Sequence, residues 1–114
     1  MKRVHFAPNL IPLIMSGKKT STWRLWDDKD LTTGDVVEFG NSETREVFAK
    51  AKLTKVIEKP FKDLNESEKA GHEKYSSEED LFKQFEMYYG KPVDRNTIFK
   101  IIWFDLSTND QAKK

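Results

Sequence analysis

The stretch SGKKTSTWR, residues 16–24, holds side chains whose types and spacing can handle an acyl or phosphoryl oxygen. Lys18 and Lys19 follow Gly17, and Thr20, Thr22 and Arg24 recur at every second position. On a strand, that recurrence puts the two threonines and the arginine on one face, with Ser21, Trp23 and Leu25 on the other. A lysine in the turn before the strand then brings an ammonium to the same end of the sheet. A cation, a hydroxyl and a guanidinium so gathered can bind a phosphate or a carbonyl oxygen. They can also activate the hydroxyl, provided that the lysine is neutral enough to accept its proton. A free lysine titrates at about 10.4, so that role requires burial or a cationic neighbour, for which Arg24 is the candidate. The same residues also read as a solvated basic turn leading into a strand with ordinary cross-strand threonine pairs. Such strings are common, and the residues alone leave both readings open.

An acid to work with this set is less obvious. Glu66, Glu68, Glu73, Glu78, Glu79 and Asp80 crowd one region, where most serve as solvated helix charges or partners of a helix dipole. Glu73 differs because GHEKY lies between two helical segments, and a carboxylate there can point inward without breaking a helix face. His5 and His72 are far apart and the chain has no cysteine, so a surface or packing role is expected for each and no metal site. No phosphate-binding glycine loop or dinucleotide fingerprint is present, and no cofactor is expected.

The elements that must position these residues follow from periodicity. Residues 2–7 read as a first strand. Residues 8–17 read as a short helix, with Pro8 and Pro12 near its start and Gly17 as its stop. Residues 20–26 and 35–40 read as strands separated by an acidic turn over 27–35. Residues 45–58 alternate most clearly, with Val47, Ala49, Ala51 and Leu53 on one side and Phe48, Lys50, Lys52 and Thr54 on the other. The alternation slips at Val56–Ile57, which predicts a bulge there. Small alanines inside that strand suggest a tightly curved sheet. A helical turn is expected around 65–70. A firm helix is expected over 76–90, capped by Ser76 with Glu79 in a capping box and ended by Gly90 and Pro92. Residues 96–106 form an almost continuous apolar run, expected as a central strand covered on both faces. The polar tail, 107–114, is expected to fray. This order predicts a single α+β domain over 1–106, built as a curved mixed sheet or small barrel flanked by short helices.

The chain has 114 residues and a net charge of +1, from 20 Lys plus Arg against 19 Asp plus Glu. That balance does not advertise nucleic-acid binding by charge alone, although the cations before Arg24 and the acids over 66–86 can form opposed patches. No apolar run approaches the roughly 18 residues of a membrane span, and the start lacks a secretory signal. A cytoplasmic protein with no membrane partner is expected.

GKKTSTWR resembles the glycine–x–lysine–threonine–x–threonine–x–arginine signature of ASCH domains, the activating-signal-cointegrator homology group of the PUA-like superfamily. The resemblance extends over roughly residues 4–106 through the apolar helix before Gly17, LTTGDVVEFG, the long alternating strand, SSEEDLFKQFEMYYG and the last apolar strand. It implies a small pseudo-barrel with an RNA-facing cleft. Within the family, the chain is most similar to the small bacterial N(4)-acetylcytidine amidohydrolases, which release cytidine and acetate. Their catalytic lysine and threonine fall on Lys19 and Thr22, and their glutamate on Glu73, with Glu68 as the alternative. The resemblance then implies Thr22 as nucleophile, Lys19 as its base, Glu73 as proton donor to the leaving amine, and Arg24 or a backbone N–H at the oxyanion. Arg24, Lys18 and Thr20 are the candidate substrate contacts, and the expected partner is a small nucleoside taken by a monomer. Trp23 is assigned to the core, and Trp26 to the core or to base stacking. Related ASCH proteins are linked to RNA binding or RNA cleavage, so the alternatives are an RNA-binding module, its basic cluster extended by Lys50, Lys52 and Lys55, or an RNA-cleaving enzyme in the same cleft.

Overall fold

Alternation along one long segment organises the rest of the chain. In the computed structural model, which describes residues 2–26, 30–70 and 75–106, this segment is strand β4, Val47–Pro60. The other strands are β1 (Arg3–Phe6), β2 (Ser21–Arg24), β3 (Val36–Asn41) and β5 (Ile98–Leu106). Their order across the sheet is β1-β3-β4-β5-β2, with β1 parallel to β3 and every other pair antiparallel. The result is the expected curved mixed sheet, a five-stranded half-barrel with short helices. Its free edges are β1 and β2.

Two register shifts bend the sheet. One lies between Phe39 and Gly40 on β3, where Phe39 faces Ala49 but Gly40 faces Val47. Phe48, the extra residue, turns inward and packs beside Phe6 and Phe39, with ring centroids 6.3 and 6.2 Å away. Val47 is exposed, the reverse of what simple alternation predicts for these two positions. The second shift lies between Leu53 and Lys55, ahead of the expected slip at Val56–Ile57. The turn before β3 lies on the other side of β4 at this point. Gly34 N–H donates to the Leu53 carbonyl (2.7 Å), Leu53 N–H donates to the Asp35 carbonyl (2.8 Å), and Val56 N–H donates to the Thr33 hydroxyl (3.0 Å). These bonds extend the β3 side of β4 beyond the end of β3.

Strand β5 is central and buried from both sides, as its apolar run predicts. Ile102 and Phe104 join Phe39, Ala51 and Leu53 on one face. Phe99 and Ile101 join Trp23, Phe61 and Phe85 on the other. Trp23 is thus a core residue, whereas Trp26 is half exposed, with the Tyr89 ring edge-on to it and the Lys91 ammonium above it.

The helices are shorter than their sequence patterns. Residues 8–17 split into a 3-10 turn, Pro8–Leu10, and the single-turn helix α1, Ile11–Met15. The 3-10 turn begins at Pro8 and α1 carries Pro12 as its second residue, within the first turn where the missing N–H costs nothing. Helix α2 spans Glu66–Lys69, and α3 spans Glu78–Tyr89. Ser77, rather than Ser76, caps α3 and accepts from Asp80 N–H, which leaves Glu79 at the second helical position, too early to close a box. The complete capping box belongs to α2 instead, where Asn65 and Glu68 each accept the other's backbone N–H (2.8 and 3.0 Å). No helix among the described residues is long and apolar enough to cross a membrane. The polar tail, 107–114, lies outside the described residues.

Candidate active site

Burial separates the two consecutive lysines. Gly17 ends α1 with φ of +82°, a conformation that costs glycine little. Lys18 N–H and Lys19 N–H then both donate to the Leu13 carbonyl, each at 3.0 Å. This tight exit leaves the Lys18 side chain in solvent and turns Lys19 inward to 2% exposure. Strand β2 follows in antiparallel register with β5, Ser21 opposite Trp103 and Thr22 opposite Ile102. Thr22 is 5% exposed, and its neighbours Ser21 and Trp23 are also buried. The strand is therefore covered on both faces, although alternation alone suggested one.

Lys19, Thr22 and Arg24 line one cavity of about 320 Å³. It lies in the seam between the free edges of the half-barrel, with His5, Phe6 and Ala7 from β1 and the following residue on one side and β2 on the other. Arg24 ties the seam together. Its Nη2 donates to the His5 carbonyl at 3.0 Å, and its guanidinium stands 4.9 Å from the Phe6 ring centroid.

The remaining wall is aromatic and comes from α3 and the segment before it. Tyr75, Phe85, Tyr88 and Tyr89 line it together with Trp23. Phe85 stacks nearly parallel to both Trp23 and Tyr89, with interplanar angles of 14° and 8°. Tyr89 is fixed in turn by accepting Leu25 N–H at 3.2 Å. Near-parallel rings beside an amine and a hydroxyl suit a planar ligand that carries a reactive carbonyl. Sequence reasoning missed this wall, because the helical spacing of Leu81, Phe85 and Tyr89 reads as core packing. The available signal was the Tyr88–Tyr89 pair, whose rings carry a polar end.

The other candidates lie elsewhere. Thr20 is exposed and lines a neighbouring cavity of about 460 Å³ with Gly17 and Phe104, and Lys19 borders both cavities. Lys18 lines neither. Glu68 serves α2, and its second oxygen lies 2.5 Å from Lys59 Nζ. The Lys59 hydrogen bond, followed by that from Asn65 N–H, holds its carboxyl below the ordinary glutamate value. Glu68 does not line the cavity. Glu73 and His72 lie outside the described residues, and Tyr75, the first described residue after them, lines the cavity. Two lysines of β4 face acids across the sheet, Lys50 opposite Glu38 and Lys52 opposite Asp105, whereas Lys55 stands 5.4 Å from the Trp103 ring centroid.

No family model matches the chain, and no curated protein matches it. Solved structures do. The hypothetical protein PH0355 is 24% identical, with 93% of this chain and 99% of that one covered and a TM-score of 0.69. A protein of Enterococcus faecalis V583 assigned to the DUF984 family is 22% identical, with 87% and 70% covered and a TM-score of 0.67. The ASCH domain of Lactobacillus crispatus JV V101 is 14% identical, with 92% and 78% covered and a TM-score of 0.64. At these identities the likeness establishes architecture, and the architecture of this chain is the ASCH, PUA-like fold.

Proposed function

We propose that the protein is an amidohydrolase that deacylates N(4)-acetylcytidine or a related acylated pyrimidine nucleoside. One observation carries the reading. A lysine and a threonine, both nearly excluded from solvent, border the same aromatic-walled cavity. In the proposed reaction Thr22 Oγ1 attacks the acyl carbonyl carbon while Lys19 Nζ takes the hydroxyl proton. The tetrahedral intermediate collapses by breaking the bond to the exocyclic nitrogen, which leaves as the amine of cytidine after receiving a proton from Glu73. Water then cleaves the threonine ester, releasing acetate and restoring the hydroxyl. The reading requires Lys19 to be neutral when it accepts the proton, and desolvation is the physical effect that favours a neutral amine. The rings of Trp23, Phe85 and Tyr89 would hold the base, and Arg24 would set the width of the slot.

RNA binding or cleavage in the same cleft is the alternative. Acids opposite Lys50 and Lys52 weigh against an extended phosphate track along β4.

The test is incubation with N(4)-acetylcytidine, following cytidine and acetate by chromatography. Turnover is expected in the wild type, with at least a hundredfold loss in Lys19→Met and in Thr22→Val. Absence of wild-type turnover, or undiminished turnover in either variant, would overturn the proposal.

A further inference from the structure

We infer that His5 is a substrate-contacting residue of this cleft, one that reads the polar edge of the bound ring; the inference rests on the deacylase reading. His5 is half-buried and lines the same cavity as Lys19 and Thr22, but from the opposite strand. Three features hold it there. Strand β1 pairs with β3 so that His5 faces Gly40. A Cβ at position 40 would lie 2.9 Å from His5 Cδ2 and 3.2 Å from His5 Nε2, so the ring occupies space that only glycine leaves open. The His5 carbonyl, meanwhile, accepts from Arg24 across the seam.

The chemistry of the ligand gives this placement its meaning. A pyrimidine that presents its acylated amine to Lys19 and Thr22 has further ring polar atoms, which need partners from the rest of the lining. A buried polar edge left unpaired weakens binding, so a built pocket supplies donors or acceptors there. On the β1 side of the seam, His5 offers an imidazole, one nitrogen donating and the other accepting in its neutral form.

Replacement by an apolar ring is the test. His5→Phe keeps the ring against Gly40 and removes both nitrogens, whereas His5→Asn restores a donor and an acceptor. With N(4)-acetylcytidine as substrate, His5→Phe is expected to lower kcat/KM by roughly tenfold or more, the loss of one or two buried hydrogen bonds. His5→Asn should recover part of the loss, and cytidine binding, followed by intrinsic fluorescence, should weaken in parallel. The melting temperature should stay near that of the wild type in both variants. If the wild type turns over the substrate and His5→Phe matches it in turnover and cytidine affinity, His5 only packs and the inference falls while the deacylase reading stands. If the wild type neither turns over the substrate nor binds cytidine, both fall.

Discussion

Arg24 tests whether the seam is a structural joint as well as a site. Replacing it with methionine keeps much of the aliphatic stem but removes the guanidinium that donates to the His5 carbonyl at 3.0 Å and stands 4.9 Å from the Phe6 centroid. A hydrogen bond from a charged donor contributes about 1.5–3 kcal/mol, and a cation over a ring about 0.5–1 kcal/mol. Both belong to one group, so they do not simply add. The expected loss for Arg24→Met is about 2–3 kcal/mol, a large fraction of the roughly 5–15 kcal/mol typical of a domain. For a chain of 114 residues that corresponds to a fall in Tm of about 6–15 °C. Urea unfolding with an unchanged m-value gives the difference directly. Arg24→Lys should lose less, because it keeps a donor but not the planar stack. Amide exchange supplies the local readout. Strand β1 has β3 on one side and the seam on the other, so its amides should exchange faster in Arg24→Met than those of β5. A loss under about 0.5 kcal/mol, with β1 exchange unchanged, would refute the idea that Arg24 closes the half-barrel.

Two further outcomes follow from charged side chains. Glu68 has a folded-state pKa below its ordinary value of 4.5, so its stabilising effect is complete above that value and is lost as pH falls through the lowered one; the Tm difference between wild type and Glu68→Gln should therefore be constant from pH 7 to about 5 and shrink toward pH 2, and a constant difference throughout would refute the assignment. If single-stranded RNA binds at the cleft, the cations that line it, Lys19 and Arg24, limit the phosphates neutralised to about two, and log K against log salt should have a slope no steeper than about −1.4; a slope beyond about −3 would require the β4 lysines and overturn the reading that the acids opposite Lys50 and Lys52 keep phosphate off that face.

Much of the fold is legible in residue patterns, for local reasons. The alternation in β4 and the continuous apolar run of β5 each follow from which faces are covered, and side-chain period reports that directly. Features set by competition between near-equal local options are not. Ser76 and Ser77 are adjacent, each with an acid three residues on, so sequence chemistry cannot choose between them as cap; the helix start does. The bulge after Leu53 is a feature of its pairing with β5, a strand distant in sequence, which no period within β4 reveals. The site divides the same way. Lys19 and Thr22 stand out by spacing within a single connection. The aromatic wall does not, because Phe85 and Tyr89 reach the cavity only through the docking of α3 against β2, a contact between residues about 60 positions apart such as the bond from Leu25 N–H to Tyr89.

Consecutive lysines with opposite fates show how the fold selects which amine is buried. Lys18 and Lys19 are chemically the same and both amides share the Leu13 carbonyl, so neither composition nor this backbone bond distinguishes them. The frame of the following strand does. Phe104 N–H donates to the Thr20 carbonyl at 3.2 Å, and the β2–β5 register sets Thr22 opposite Ile102. With that register fixed, and with the backbone leaving α1 through a left-handed glycine, the residue three before Thr22 is the one turned under the sheet end. A slip of one residue would reverse every side chain of the strand and bring Lys18 in and Lys19 out. The burial of one amine thus depends on β-sheet register and on the backbone freedom of Gly17.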